Sequence, residues 1–324
     1  MSVRRVVLTG ATGFIGSKVV DALLRRRTAT ADTALRIVGR NAPHRSTDAG
    51  TTWAAADLTA PATLTGVCDG ADVLIHLASR VGGSPELCTA VNVDGTAALM
   101  AEAARAGVGR IVYLSTAAVY GRGPHRGIGV DEVDPSPASP ASATRLLAER
   151  LVLAAGGTVL RPGLVLGAGD RWVVPALGEL LVRVPARWDG GAALSSVVDV
   201  QDLAGLIVAA ALTPDPLPAG AFHASHPAPV RNRDLMDELA AHRILPPVPL
   251  RDWTWQQCLD RLRTTDGPLG ERQFTLLAQD HWYRSEDIWL RTGHRPGPGP
   301  LAWLAGSADW YRSHLAPTPG GPRG

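Results

Sequence analysis

Along the first half of the chain, short apolar runs alternate with longer stretches in which apolar residues recur every three or four places. Val6-Val7-Leu8 is a strand-type run, followed by a glycine-rich turn and the amphipathic stretch Lys18–Arg27. Leu35–Val38, Val73–Leu77, Ile111–Leu114 and Val159-Leu160 read as further buried strands. Helical patterns lie between them over Asn92–Ala106, with Gly107 as its C-cap, and over Ser142–Ala155, ending at Gly156-Gly157. Pro135–Pro140 is a Pro/Ser loop directly before that second helix. Strands alternating with helices predict an α/β fold with a parallel, doubly wound sheet of Rossmann type.

After Arg161 the rhythm breaks, and eight of the nine tryptophans lie beyond residue 170. Asp252–Arg263 and Leu269–Tyr283 read as two helices joined at Thr265-Asp266-Gly267-Pro268. Gly293–Pro300 reads as a loop, Leu301–Leu315 as a helix, and Pro317–Gly324 as a frayed end.

The turn Thr9-Gly10-Ala11-Thr12-Gly13-Phe14-Ile15-Gly16 sits between the first strand and the first helix. In that context Gly10 permits a tight turn, Gly13 lets backbone N–H groups approach a pyrophosphate, and Gly16 lets helix pack on strand. The helix N-terminus adds partial positive charge, so Gly10, Thr12, Gly13, Phe14 and Ile15 form a dinucleotide-binding turn. The plainer alternative is a tight turn serving packing only. The expected organisation is a dinucleotide-binding domain over 1–166, to which 194–225 returns, and a smaller substrate-binding and lid region over 167–193 and 226–324.

Composition narrows the field further. The chain has 324 residues, 45% hydrophobic and 19% charged, with a formal net charge of +2. That balance argues against a general nucleic-acid binder. No apolar stretch reaches the roughly 18 residues of a membrane span, and MSVRRVVLTG does not read as a signal peptide, so a soluble cytoplasmic protein is expected. Cys68, Cys88 and Cys258 are scattered, without CxxC pairs or histidines at ligand spacing, so no metal site is expected. Of 32 cationic side chains only Lys18 is lysine, which excludes lysine chemistry anywhere beyond the first helix.

Several ordered motifs extend the reading. Ala56-Asp57-Leu58 follows the second βα unit, and His76-Leu77-Ala78 ends a strand. Asn92-Val93-Asp94-Gly95-Thr96 opens a helix, and Ser115-Thr116-Ala117-Ala118-Val119-Tyr120-Gly121 leaves a strand. Leu160-Arg161-Pro162-Gly163 and Val197-Val198-Asp199-Val200-Gln201-Asp202 follow. Together with TGxTGFIG this series resembles the extended short-chain dehydrogenase/reductase family. The resemblance implies that Asp57 and Leu58 contact the adenine end of a nicotinamide dinucleotide. It also implies that Leu77 and Ala78 lie beneath the cofactor, that Pro162 and Gly163 flank the nicotinamide, and that Thr116, with Ser115 beside it, takes the active Ser/Thr position.

The second strand ends Ile37-Val38-Gly39-Arg40-Asn41, with no acid to accept the ribose 2′-hydroxyls. Arg40 can instead pair with a 2′-phosphate, so NADP(H) is the expected cofactor. The alternative is a solvated arginine.

The sequence departs from the family at its Tyr-x-x-x-Lys pair. Anchored on Ala148-Glu149-Arg150-Leu151, Ala141 takes the tyrosine position and Arg145 the lysine position. The tyrosines are Tyr113, Tyr120, Tyr283 and Tyr311, and none precedes Lys18, so no shifted alignment restores the pair. Arg145 is left to hold the ribose hydroxyls. Ketone reduction then leans on Thr116 as hydrogen-bond donor to the developing oxyanion, with the proton from water or from a phenol on the substrate.

The expected activity is NADPH-dependent reduction of a ketone on a polycyclic aromatic polyketide of angucyclinone type. The alternatives are an inactive NADP(H)-binding sensor and a sugar-nucleotide epimerase or dehydratase. Expected partners are a small molecule, no nucleic acid, no membrane, and a second copy at most. Trp253, Trp255, Trp282, Tyr283 and Trp289 are candidate lid aromatics, with core packing the more frequent role of such residues, and Arg231, Arg233 and Arg284 are available for a sugar nucleotide. His76 reads as core, Asp199 and Asp202 as helix-start residues, and His223 and His226 as minor substrate candidates.

Overall fold

A computed structural model describes residues 3–30, 32–42 and 50–315. The chain opens with β1 (Arg4–Thr9), α1 (Phe14–Thr30), β2 (Thr33–Gly39), β3 (Thr51–Ala55) and β4 (Val73–His76). Then come α2 (Gly95–Arg105), β5 (Arg110–Leu114), α3 (Pro140–Ala154), β6 (Thr158–Arg161) and, much later, β7 (Gly220–His223). These seven strands form one sheet in the order β7-β6-β5-β4-β1-β2-β3, parallel throughout. The doubly wound α/β expectation holds. Strand order reverses between β1 and β4, which opens the crevice where such sheets bind ligands.

Helices cover both faces because the strands are apolar on both sides. On one face Val19 and Leu23 of α1 pack with Leu203, Leu206 and Ile207 of a later helix, α5 (Val200–Leu212). On the other, Leu99 and Ala103 of α2 meet Ala148 and Val152 of α3. Gly107 and Gly156 both adopt positive φ, at 70° and 77°, and end the two helices as their placement predicts.

A second core gathers Leu177 and Leu180 of α4 (Val173–Arg183), Leu235 and Leu239 of α6 (Asn232–Ala241), and Cys258, Leu259 and Leu262 of α7 (Trp255–Arg263). It continues through Phe274 and Leu277 of α8 (Glu271–Ala278) and Leu304 and Tyr311 of α10 (Leu304–Leu315), while α9 (Glu286–Thr292) joins the first core through Ile288 and Trp289. Two of the expected helices are shorter than their patterns suggest. Asp252-Trp253 pairs with Arg187-Trp188 as a short strand, and α7 begins only after Thr254, whose hydroxyl forms a capping box with Gln257. The stretch Leu269–Tyr283 is not one helix. It turns extended at Gln279, and His281–Tyr283 pairs with His125–Ile128 in a four-stranded sheet, a contact between segments far apart in sequence. The expected fraying of Pro317–Gly324 lies outside the described residues. Among the described residues no helix is long and apolar enough to cross a membrane, and no group of histidine, cysteine and acidic side chains stands together to hold a metal.

Candidate active site

The crevice at the strand-order reversal is a groove of about 590 Å³. Gly10, Thr12 and Gly13 line one wall, Leu77 and Ala78 another, and Arg40, Asp57 and Leu58 its far end. Gly10 has φ +79°, and a Cβ there would stand 2.6 Å from the Ala78 nitrogen. A Cβ on Gly16 would stand 2.0 Å from the Gly10 carbonyl oxygen. The turn therefore presses against β4 with only hydrogen between them, the approach a pyrophosphate cradle needs. These residues fit a bound dinucleotide.

A buried chain of hydrogen bonds sets the floor. Ala78 N–H donates to Thr9 Oγ1 at 3.3 Å, Thr9 Oγ1 meets His76 Nδ1 at 2.7 Å, and His76 Nε2 meets Thr96 Oγ1 at 3.0 Å. Burial, with the Arg145 charge second, pushes the His76 pKa down to about 3, so the ring is neutral and serves to position the backbone. His76 is thus a core residue, as expected. Arg40 is exposed at the groove's end. Asp57 accepts Thr59 N–H and Oγ1–H, both at 2.9 Å, which holds its carboxyl below the usual range.

Phe14 and Ile15 open α1 directly after the glycine turn. The Phe14 ring lies against Gly169, where a Cβ would come within 2.6 Å, and Ile15 packs on the core. Their contribution to the turn is backbone. The Pro162-Gly163 bend is tied beside the reacting end, since Ala117 N–H donates to the Pro162 carbonyl at 2.8 Å and Gly163 N–H to Ser225 Oγ at 2.9 Å.

At the reacting end Thr116 caps the 3-10 turn Ala117–Tyr120, and its Oγ1 accepts the Ala118 N–H at 3.2 Å. That bond uses the oxygen's lone pair and leaves the hydroxyl proton to donate elsewhere. Ser115 is different. Its hydroxyl is buried and hydrogen bonded to the Glu149 carboxylate, so it faces the interior rather than reacting atoms. Ala141, in the first turn of α3, offers only a methyl group. Arg145 donates through Nη2 to the Leu114 and Ser115 carbonyls at 2.7 and 2.6 Å, and its buried Nε has no partner among the described residues. A guanidinium thus fixes the end of β5, where the family's lysine would stand.

The residue pattern did not announce the cluster beneath this site. Glu149 pairs with Arg161 at 2.5 Å, Arg161 Nη1 donates to Tyr120 Oη at 2.8 Å, and Tyr120 Oη meets His223 Nε2 at 2.8 Å. The signal available in sequence was a glutamate on an otherwise apolar helix face opposite an arginine inside a strand. His223 is committed to this cluster, and His226 bridges Ala228 and Gly297, so neither reaches the groove.

A smaller cavity of about 240 Å³ adjoins the reacting end, between the Ala118–Arg122 segment, the start of α3 and α8. The candidate lid aromatics lie in packed positions, the plainer of their two readings. Trp255 stacks on Phe274 in the second core, Trp289 is buried on the Ser225 carbonyl, and Tyr283 stacks on Tyr120. Trp253 packs on the second core, while Trp282 covers Gly127. Core packing took them because their neighbours in space are apolar. Of the arginines available for a sugar nucleotide, Arg284 pairs with Glu132 and Arg233 with Asp234, and Arg231 is exposed at the start of α6. Asp199 caps α5 through Gln201 N–H at 2.7 Å, as expected of a helix-start residue, whereas the Asp202 carboxylate accepts from Gly297 N–H and the Trp303 indole and ties down a distant loop.

Burial depresses the pKa of His76 and His223 (to about 3 and about 4) and of His125, His281 and His294, while it raises Asp170 and takes Asp199 to about 6. Unfolding releases the histidines to bind protons below about 6.5, which lowers stability as pH falls; the two carboxylates act the other way. With five groups against two, the urea midpoint is expected to fall between pH 7 and pH 5. A midpoint that rises over that range refutes the balance.

Fold and groove together define a nicotinamide-dinucleotide-dependent oxidoreductase of the extended short-chain type. The chain belongs to the NAD dependent epimerase/dehydratase family, whose profile matches residues 6–222. It is 30% identical over 322 residues to the 2-alkyl-3-oxoalkanoate reductase of Stenotrophomonas maltophilia, across 90% of this chain and 94% of that one. It is 32% identical over 221 residues to the 4-hydroxy-2-methyl-3-oxo-4-farnesyl-3,4-dihydroquinoline-1-oxide ketoreductase of Stigmatella aurantiaca, 64% of each chain. The UDP-glucuronic acid 4-epimerase of Bacillus cereus, solved with NAD, matches in fold with a TM-score of 0.73 over 96% of this chain and 99% of that one, at 16% identity.

Proposed function

We propose that this protein uses NADPH to reduce a ketone on an aromatic polyketide of angucyclinone type, without the tyrosine and lysine of its family. In lacking that pair it resembles the angucyclinone ketoreductase of simocyclinone biosynthesis. The observation that carries the reading is a complete dinucleotide groove together with Thr116, whose Oγ1 accepts the Ala118 N–H and keeps its proton to donate, in a chain that has alanine at position 141. The bound nicotinamide supplies the hydride. Thr116 donates to the ketone oxygen as negative charge grows on it. Arg145 holds the end of β5 in place through the Leu114 and Ser115 carbonyls. The proton that completes the alcohol comes from a phenol beside the ketone or from water. Methylating such a phenol is expected to abolish turnover while leaving binding intact; unchanged turnover overturns the substrate-assisted step.

The choice of NADPH rests on Arg40, exposed in the groove with no acid at the end of β2. Arg40→Asp is expected to lower the NADPH-to-NADH ratio of kcat/KM by about 10- to 100-fold, because a charge-assisted and bidentate phosphate contact is replaced by repulsion. A ratio that stays unchanged refutes the assignment.

A second reading has its own support. The Stenotrophomonas relative, matched across nearly the whole of both chains, is named for a 3-oxo acid, so an aliphatic 3-oxo acid is the competing substrate class. NADPH oxidation followed with hydroxylated polycyclic ketones and with 3-oxo acids separates the two. Tight NADPH binding with no turnover on either panel favours a sensor instead.

A further inference from the structure

The smaller cavity is lined by Ala118, whose N–H donates to Thr116 Oγ1, and its walls are of unequal character. Ala118, Ala138 and Leu276 make it apolar, and three charged side chains reach it: Arg122, Arg272 and Glu271. Glu271 is already satisfied by Arg263 at 2.9 Å, outside the cavity lining. Arg122 and Arg272 have no hydrogen-bonded or ion-paired side-chain partner among the described residues. Neighbouring arginines do: Arg126 holds Asp280 at 2.7 Å, and Arg284 holds Glu132. The cavity lining therefore holds two guanidinium groups without a paired side chain, beside one carboxylate already held by Arg263. They come from different parts of the chain, Arg122 just after the turn that Thr116 caps and Arg272 from α8.

From this we infer that the cavity binds a substrate carboxylate between Arg122 and Arg272, with the ketone directed toward Thr116. The inference rests on the proposal that ketone reduction occurs at this end of the groove, and it adds the substrate class. Two guanidinium groups suit a carboxylate because each presents parallel N–H donors to its two oxygens. A nucleoside diphosphate does not fit as well. The cavity's 240 Å³ falls below the ~300–1,000 Å³ usual for ligands of that size. The volume suits the acidic, ketone-bearing end of a molecule whose remainder lies outside.

The test uses the full-length protein saturated with NADP⁺ and measures ligand affinity by calorimetry, so that no turnover is needed. The probes are 3-oxodecanoate and 1-hydroxy-2-naphthoate, each against its methyl ester, with UDP as the nucleotide arm. Each acid is expected to bind about 100-fold tighter than its ester, and Arg122→Gln and Arg272→Gln each to remove about tenfold of that preference. The double variant is expected to bind acid and ester alike. Which acid binds tighter tells an aliphatic skeleton from an aromatic one. Arg122 is exposed and both side chains are unpaired, so an unchanged melting temperature is expected to show that the variants fold. Equal binding of acid and ester, a preference that survives in the double variant, or UDP binding as tightly as the acids overturns the inference. Carboxylate-selective binding without NADPH oxidation would remove the reductase reading and leave the anion site standing. Turnover indifferent to both arginines would do the reverse.

Discussion

Glu149→Ala is expected to destabilise the protein by about 3–5 kcal/mol, because it strands the buried Arg161 guanidinium without its counter-charge. Both side chains are almost fully buried, 1% and 7% exposed, and Arg161 reaches Glu149 through Nε and Nη2 together. The same carboxylate holds the Ser115 hydroxyl, so its loss also frees the residue before Thr116. Replacing both members, as in Glu149→Met with Arg161→Met, is expected to recover much of the loss, since a buried pair exchanged for apolar volume is often close to neutral. Urea denaturation of the single and double variants decides the matter. A single variant that loses less than about 1 kcal/mol shows that water reaches the pair and that the cluster is not the buried ion pair described here.

Thr116→Val is expected to lower kcat by about 10²- to 10³-fold while leaving the affinity for NADPH within about twofold. The substitution keeps the β-branched shape at the end of β5 and removes one donor to the substrate oxygen. Position 141 offers only a methyl group for that task. Thr116→Ser keeps the donor and is expected to stay within about tenfold of the parent. The measurement is single-turnover NADPH oxidation alongside cofactor titration. If the valine variant keeps kcat within about threefold, oxyanion stabilisation comes from elsewhere and the mechanism proposed above fails.

Much of the groove was legible because its requirements are local. Gly10, Gly13 and Gly16 lie within seven residues of one another, and a strand–turn–helix rhythm reports a backbone that neighbouring residues dictate. Arg40 could be read for the same reason, since its place at the end of β2 follows from counting along one strand. The cluster of Glu149, Arg161, Tyr120 and His223 was not legible, because its members come from a helix, two strands and a turn spread over a hundred residues. Ser115 shows the cost: a motif places it next to Thr116, yet strand alternation turns its hydroxyl to the opposite side, toward Glu149. The tryptophans carried two readings in sequence, ligand or core, and the packed cores decided for the second.

The sequence by itself determined the alternation of strands and helices, the dinucleotide turn, and the absence of any tyrosine–lysine pair, since each is a matter of residue type at short spacing. Only the tertiary structure decided that Leu269–Tyr283 divides into a helix and a strand, and that Ser115 belongs to a buried ion pair. It alone brought Arg122 and Arg272 to one cavity. The physical reason is common to all three: pairing across a sheet, burial of charge and convergence on a cleft depend on which distant segments become neighbours, and local propensity is silent about that.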